Sequence, residues 1–278
     1  MSLADLPPLR ESLAVAGLLA RKSFGQHFLL DLNITRKIAR LAGPLEGQTV
    51  IEVGPGPGGL TRALLEAGAR VIAIEKDARF MPLLEELAAA AGGRLTLVNA
   101  DALTVDEAAL VAAHAGGGTA QVISNLPYNV GTPLLIKWLT GPFRPVSMTL
   151  MFQKEVADRI TASPGSDGYG RLSVIVQAVA EPSKVLDLPA RAFTPPPKVN
   201  SAVVSFAPRA DRPPDDLLHA LQRVTQAAFG QRRKMLRSSL KVMGGETLCR
   251  GAGVDPDARA ETVSVQGFLD LARRLLGA

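Results

Sequence analysis

A single cysteine, Cys249, stands among 278 residues, which excludes an intramolecular disulfide and fits a reducing cytoplasm. Histidine is nearly as scarce. His27, His114 and His219 are scattered without metal-ligand spacing, so no metal is expected. The longest apolar stretch near the N-terminus, residues 13–20, is far too short to span a bilayer, and Asp5 and Glu11 precede it where a signal peptide would be basic. Neither export nor a membrane anchor is expected, and the protein is read as cytoplasmic. No internal repeat is visible.

What is present is a globular composition. Hydrophobic residues make up 47% of the chain, enough for one large domain and a small one. The formal charge of +5 is unevenly spread: between Arg191 and Lys241 ten Lys/Arg face three Asp/Glu, a surplus of +7 that leaves the rest at −2. A localised basic region favours a polyanionic partner, although solvated basic surfaces are common.

Residues 1–20 read as an N-terminal arm, with Pro7-Pro8 followed by a helical pattern. From residue 49 short β-rich runs alternate with helical stretches: 49–53, 70–75, 94–99, 121–124 and 147–152 are the strand candidates, and 60–67 and 78–91 are helical in composition. This rhythm predicts an α/β fold with a mostly parallel sheet covered by helices. Two later runs, 172–179 and 199–206, are expected to complete the sheet as a hairpin-like edge. The proline-rich stretch 208–214 reads as a boundary, after which 216–229, 232–243 and 265–276 are helical in pattern. The expected domains are thus 21–207 and a small helical domain, 208–278.

Gly54, Gly56 and Gly59 form G-x-G-x-x-G between a strand and a helix, the context of a nucleotide-cofactor turn. Pro55 and Pro57 fill its x positions and lack the N–H donors that would help hold a diphosphate. S-adenosylmethionine, which has no phosphate, suits the turn better. Glu75 ends the next strand, where a carboxylate can accept from both ribose hydroxyls, and Asp101 follows the third, placed to accept from the adenine amine. Each has a plainer reading as a cap or loop residue. The ordered set of glycine turn, Glu75, Asp101 and Asn125 at successive strand ends favours the cofactor. Asn125-Leu126-Pro127-Tyr128 then supplies chemistry. A base amine is a poor nucleophile because its lone pair is delocalised into the ring. An Asn oxygen and a neighbouring carbonyl can each accept one N–H and localise the pair, while Tyr offers an aromatic face.

Seven blocks in order complete the pattern: Phe24-Gly25-Gln26-His27-Phe28-Leu29, Glu52-Val53-Gly54-Pro55-Gly56, Asn125-Leu126-Pro127-Tyr128-Asn129, Gln153-Lys154-Glu155-Val156, Tyr169-Gly170-Arg171-Leu172-Ser173, Phe193-Thr194-Pro195-Pro196-Pro197-Lys198-Val199 and Phe229-Gly230-Gln231-Arg232-Arg233-Lys234. With these the chain resembles the small-subunit ribosomal RNA adenine dimethyltransferases from about Lys22 onward. The resemblance implies a Rossmann-like class I S-adenosylmethionine-dependent methyltransferase with a small C-terminal helical domain. It implies that Gln26, His27, Leu29, Gly54, Gly56, Glu75, Asp101 and Asn125 bind the cofactor. It also implies that Asn125 and the Leu126 carbonyl, with Pro127 shaping the loop, hold the target amine, and that Tyr128 and Phe193 sandwich the adenine. Taken alone, His27 is a packed or capping histidine and Phe193 a core residue.

The same resemblance places Arg232, Arg233 and Lys234 against RNA. It implies two methyl transfers to each of two adjacent adenosines in a hairpin near the 3′ end of small-subunit rRNA, within a 30S assembly particle, by a monomer. Competing readings are a large-subunit RNA methyltransferase and a non-catalytic nucleic-acid-binding factor on the same scaffold. A nicotinamide oxidoreductase is disfavoured for want of pyrophosphate donors.

Overall fold

The computed structural model describes residues 2–18, 26–115, 118–231 and 233–277. The chain forms two compact units: Met1–Lys154 with Lys184–Phe206, and Glu155–Ser183 with Ala207–Ala278. In chain order the elements begin with α1 (Leu9–Val15), β1 (Phe28–Leu29), α2 (Leu32–Leu41), β2 (Thr49–Val53), α3 (Gly59–Glu66), β3 (Arg70–Glu75) and α4 (Met81–Ala90). There follow β4 (Leu95–Asn99), α5 (Glu107–His114), β5 (Ala120–Asn125), α6 (Gly131–Thr140), β6 (Met148–Gln153) and α7 (Lys154–Ile160). The remainder is α8 (Arg171–Val179), β7 (Ala180–Leu188), β8 (Phe193–Thr194), β9 (Ser201–Pro208), α9 (Asp215–Gly230), α10 (Leu236–Ser239), α11 (Gly245–Gly251) and α12 (Val265–Leu276).

A seven-stranded sheet runs in the order β4-β3-β2-β5-β6-β9-β7. Strands β2 to β6 pair in parallel, and β9 is antiparallel to β6. Val50, Ile51 and Val53 of β2 and Val71, Ile72 and Ile74 of β3 are all buried, as both faces of a parallel sheet require. The chain leaves β2 toward β3 on one side and returns to β5 on the other. A crevice opens there at the strands' carboxyl ends, the usual ligand position in such sheets. The N-terminal segment packs on α3: the Arg62 guanidinium donates to the Pro7 carbonyl at 2.8 Å, and Leu9 is buried.

Two expectations are overturned. Residues 172–179 are not a strand but belong to α8, nearly all of whose side chains are buried. A short apolar run has no period that separates a buried strand from a buried helix; here Ser173 Oγ accepts from the Gly170 N–H and starts a helix. The strand is β7, whose Pro182 suits the edge position it takes in the sheet. Residues 232–243 are likewise not one helix. Met235 bridges Arg259, and the Leu236 N–H donates to the Ala258 carbonyl, leaving only the four-residue α10 and a 3-10 turn at Lys241–Met243. In the second unit α9 packs on α12, and Tyr169, Phe229 and Phe268 pack ring against ring.

Candidate active site

The cavity at the sheet's carboxyl ends lies wholly within the first unit. Its floor is the turn after β2, where Gly54 and Gly56 have φ of +68° and +54°. Side chains there would be strained. They would also collide, because a Cβ on Gly54 would lie 3.2 Å from the Pro127 ring and one on Gly56 3.2 Å from Phe28. The Gly54 and Gly58 amides donate to the Ile74 and Pro55 carbonyls, and the Gly56 amide to Glu75 Oε2 at 3.0 Å. With Pro55 and Pro57 lacking donors and these three spent, the turn has little to offer a diphosphate.

Glu75, 6% exposed, receives a second N–H from Asp77 on Oε1 at 2.8 Å. Burial holds its carboxyl above the usual range even so. The remaining lone pairs face the cavity that Glu75 lines, suiting hydroxyl donors. Asp101 also lines the cavity. Lys76 Nζ sits 2.7 Å from its Oδ2 and, as the chief cause, lowers its pKa; the Leu103 N–H donates to Oδ1. Asp101 is therefore both a turn-stabilising residue and part of the wall.

Opposite, β5 delivers the amine motif. Ser124 Oγ donates to the Val53 carbonyl at 2.6 Å, locking the end of β5 to the end of β2. Asn125 Nδ2 donates to the His27 carbonyl at 3.4 Å, which reserves the acceptor Oδ1 for whatever enters the cavity. Leu126 is buried, Pro127 rests on the glycine turn, and the Tyr128 hydroxyl meets Ser201 Oγ at 2.6 Å, fixing the ring in the wall. The His27 ring lies 5.5 Å from that of Tyr128. Its Nδ1 donates to the Pro195 carbonyl at 2.8 Å. Gln26 Nε2 donates to Asp77 Oδ2, and Leu29 lines the cavity from β1. The structure thus brings together Gln26, His27, Leu29, Gly54, Gly56, Glu75, Asp101 and Asn125 to Tyr128 on one cavity.

Phe193 needs correction. It is 3% exposed, pairs through its backbone with Leu29 and packs in the core with Ile123, Met151 and Val203, off the cavity wall. An apolar ring whose neighbours are all buried gains more from the core than from an open site. Arg233 and Lys234 are exposed in the second unit, and Arg232 lies outside the described residues. Sequence reasoning missed Phe28, Glu52, Lys76 and Asp77 as wall residues. Their adjacency to Leu29, Val53 and Glu75 was the available signal. Asp77 is ion-paired with Arg79, which together with other hydrogen bonds pulls its carboxyl down to about 2.

The family model for "Ribosomal RNA adenine dimethylase" matches residues 17–276. The chain belongs to the ribosomal RNA adenine dimethylase family. Like its family, this dimethylase is a methyltransferase of class I fold whose cofactor is S-adenosylmethionine. The "Ribosomal RNA small subunit methyltransferase A" of Phenylobacterium zucineum is 71% identical over 272 residues, covering 98% of this chain and 94% of its own. That of Caulobacter vibrioides is also 71% identical, over 93% and 98% respectively. Among solved structures, a dimethyladenosine transferase from Plasmodium falciparum superposes with a TM-score of 0.72 at 25% identity, over 88% of this chain and 96% of its own. The 23S rRNA methyltransferase ErmE gives 0.67 at 27%, over 89% and 99%. Among the described residues no helix is long and apolar enough to cross a membrane, and no cluster of three or more His, Cys, Asp or Glu is placed to hold a metal.

Proposed function

We infer that this dimethylase methylates the exocyclic amine of adenosine in small-subunit ribosomal RNA. The observation that carries the reading is the placement of Asn125 Oδ1. Its amide nitrogen is committed to the His27 carbonyl, and its strand end is tied to the cofactor turn through Ser124 and Val53. Oδ1 and the Leu126 carbonyl can each accept one N–H of the amine, drawing the lone pair out of conjugation and aiming it across the turn. Tyr128, held by Ser201, offers one face to the base. No general base at the nitrogen is then needed. S-adenosylmethionine, when bound, supplies the electrophilic methyl group. Glu75 is matched to its ribose and Asp101 to its adenine, with Gln26, His27, Leu29 and Gly54 around the methionyl end. An amine already methylated has one N–H fewer, so the second transfer proceeds with a single acceptor engaged and a methyl where a hydrogen was.

The finer assignment follows the family pattern: two adjacent adenosines in a hairpin near the 3′ end, each receiving two methyl groups, in a 30S assembly particle in the cytoplasm, by a monomer. Residues 21–207 would carry the chemistry and residues 208–278, with Arg232, Arg233 and Lys234, the binding of RNA. The 71% identity to proteins named for the small subunit supports this over the large-subunit alternative. The test is to incubate the protein with labelled S-adenosylmethionine and undermethylated small subunits, digest the RNA and identify the labelled nucleoside. Dimethyladenosine at adjacent positions is expected. Label confined to large-subunit RNA, or none, would overturn the reading.

A further inference from the structure

Among the described residues four carboxylates line the cavity, and three have donors of their own. Glu75 receives two backbone N–H groups, Asp101 receives Lys76 and the Leu103 N–H, and Asp77 receives Arg79 and Gln26. Glu52 is the exception. It is 1% exposed, and among the described residues its Oε2 has no hydrogen-bond partner; nor has Thr61 Oγ1 on α3, the hydroxyl beside it. The charged groups on the elements around it do not compensate. Glu75 on the adjacent β3 has the same sign, while Arg62 on α3 is turned to the Pro7 carbonyl and Lys76 beyond β3 to Asp101.

A buried carboxylate without a cation or a set of donors is strongly disfavoured in its ionised form. The group avoids that cost by keeping its proton, and burial accordingly pushes the Glu52 carboxyl up to about 8. The cofactor is the one ligand of this cavity that brings what Glu52 lacks, because its sulfonium and α-ammonium are both positive. We propose that Glu52 is the counter-charge for the cationic end of S-adenosylmethionine, neutral in the cofactor-free protein and ionised in the complex, so that binding releases a proton to solvent. The carboxylic O–H bond breaks, its electron pair stays on Glu52, and the proton goes to buffer. Binding is then tied to pH by a residue that never touches the target base. The assignment rests on the cofactor reading of this cavity.

The test is calorimetric titration of the whole protein with S-adenosylmethionine at pH 7 in buffers of differing ionisation enthalpy, for the wild type and for Glu52→Gln. Glutamine is the neutral isostere of the protonated acid. Comparing the two proteins cancels any titration of the cofactor's own ammonium. The wild type should release close to one proton more per cofactor than the variant. Its affinity should rise with pH by up to about tenfold per unit below pH 8, while the variant's stays nearly flat. Equal proton counts in two folded proteins that both bind would overturn the role of Glu52 alone. Absence of binding heat in either would instead overturn the cofactor reading. If Glu52→Gln fails to fold, the infrared band of a protonated carboxylic acid in the wild type serves: its loss on adding cofactor is expected, and its persistence in the complex overturns the proposal.

Discussion

The cofactor cavity and the basic stretch of the second unit handle charge under different physical conditions. In the cavity, carboxylates are buried or partly buried, each oxygen is matched to a named donor or conspicuously lacks one, and water screens little. In the basic stretch, Arg233, Lys234 and Lys241 stand exposed, where salt screens each charge and the sum matters more than any geometry. Changes in the cavity should therefore act steeply, one group at a time, and with little dependence on salt. Changes on the basic surface should act gradually and through salt.

The sharpest way to break that contrast is Asn125→Ala. The variant loses an acceptor that matters chiefly in the transition state, so turnover should fall by about a hundredfold to a thousandfold while cofactor affinity changes far less. Single-turnover transfer on undermethylated small subunits measures it, and near-normal rates would reduce Asn125 to a strand-end residue. Next comes Glu75→Ala, which should weaken cofactor binding by about 1.5–3 kcal/mol, the scale of hydrogen bonds to a charged acceptor. Calorimetry at two salt concentrations should give the same loss at both.

Glu52 sharpens the comparison through stability. Its carboxyl is raised from 4.5 to about 8 in the folded protein, so it favours folding fully below about pH 4.5, and that contribution is lost as pH rises to about 8. In cofactor-free protein the wild type should lose up to about 1 kcal/mol per pH unit relative to Glu52→Gln across that window. Denaturant titrations at several pH values follow this directly, and parallel curves would mean that Glu52 is ionised in the empty site. The smallest expected effect is on the surface. Neutralising Arg232, Arg233 and Lys234 together should lower the slope of log K against log salt for RNA binding by about 0.7–0.9 for each phosphate no longer neutralised. An unchanged slope in a folded variant would make them an ordinary solvated face.

Much of the site was legible because it is built from local signals. A glycine turn needing positive φ, acids at strand ends and an Asn-Leu-Pro-Tyr after a strand are properties of short segments, and the sheet brings such ends together as a matter of topology. Phe193 was not legible in that way. A phenylalanine beside prolines reads equally as a presented ring or a core ring, and only the packing of Leu29, Ile123 and Met151 around it decides. The same holds for 172–179, where an apolar run without a period left helix and strand undistinguished.

The sequence by itself determined the order of strands and helices along most of the first unit, the conformation of the turn at Gly54 and Gly56, and the kinds of side chain at the strand ends. These follow from sterics and chemistry within a few residues. Only the tertiary structure decided which groups are satisfied: His27 and Asn125 are 98 residues apart, Ser124 and Val53 are 71, and Tyr128 and Ser201 are 73. Whether Glu75 has two N–H partners while Glu52 Oε2 has none is likewise a matter of what the fold lays over them. Burial and hydrogen-bond partnership are properties of the assembled chain, and they set the charge a carboxyl carries.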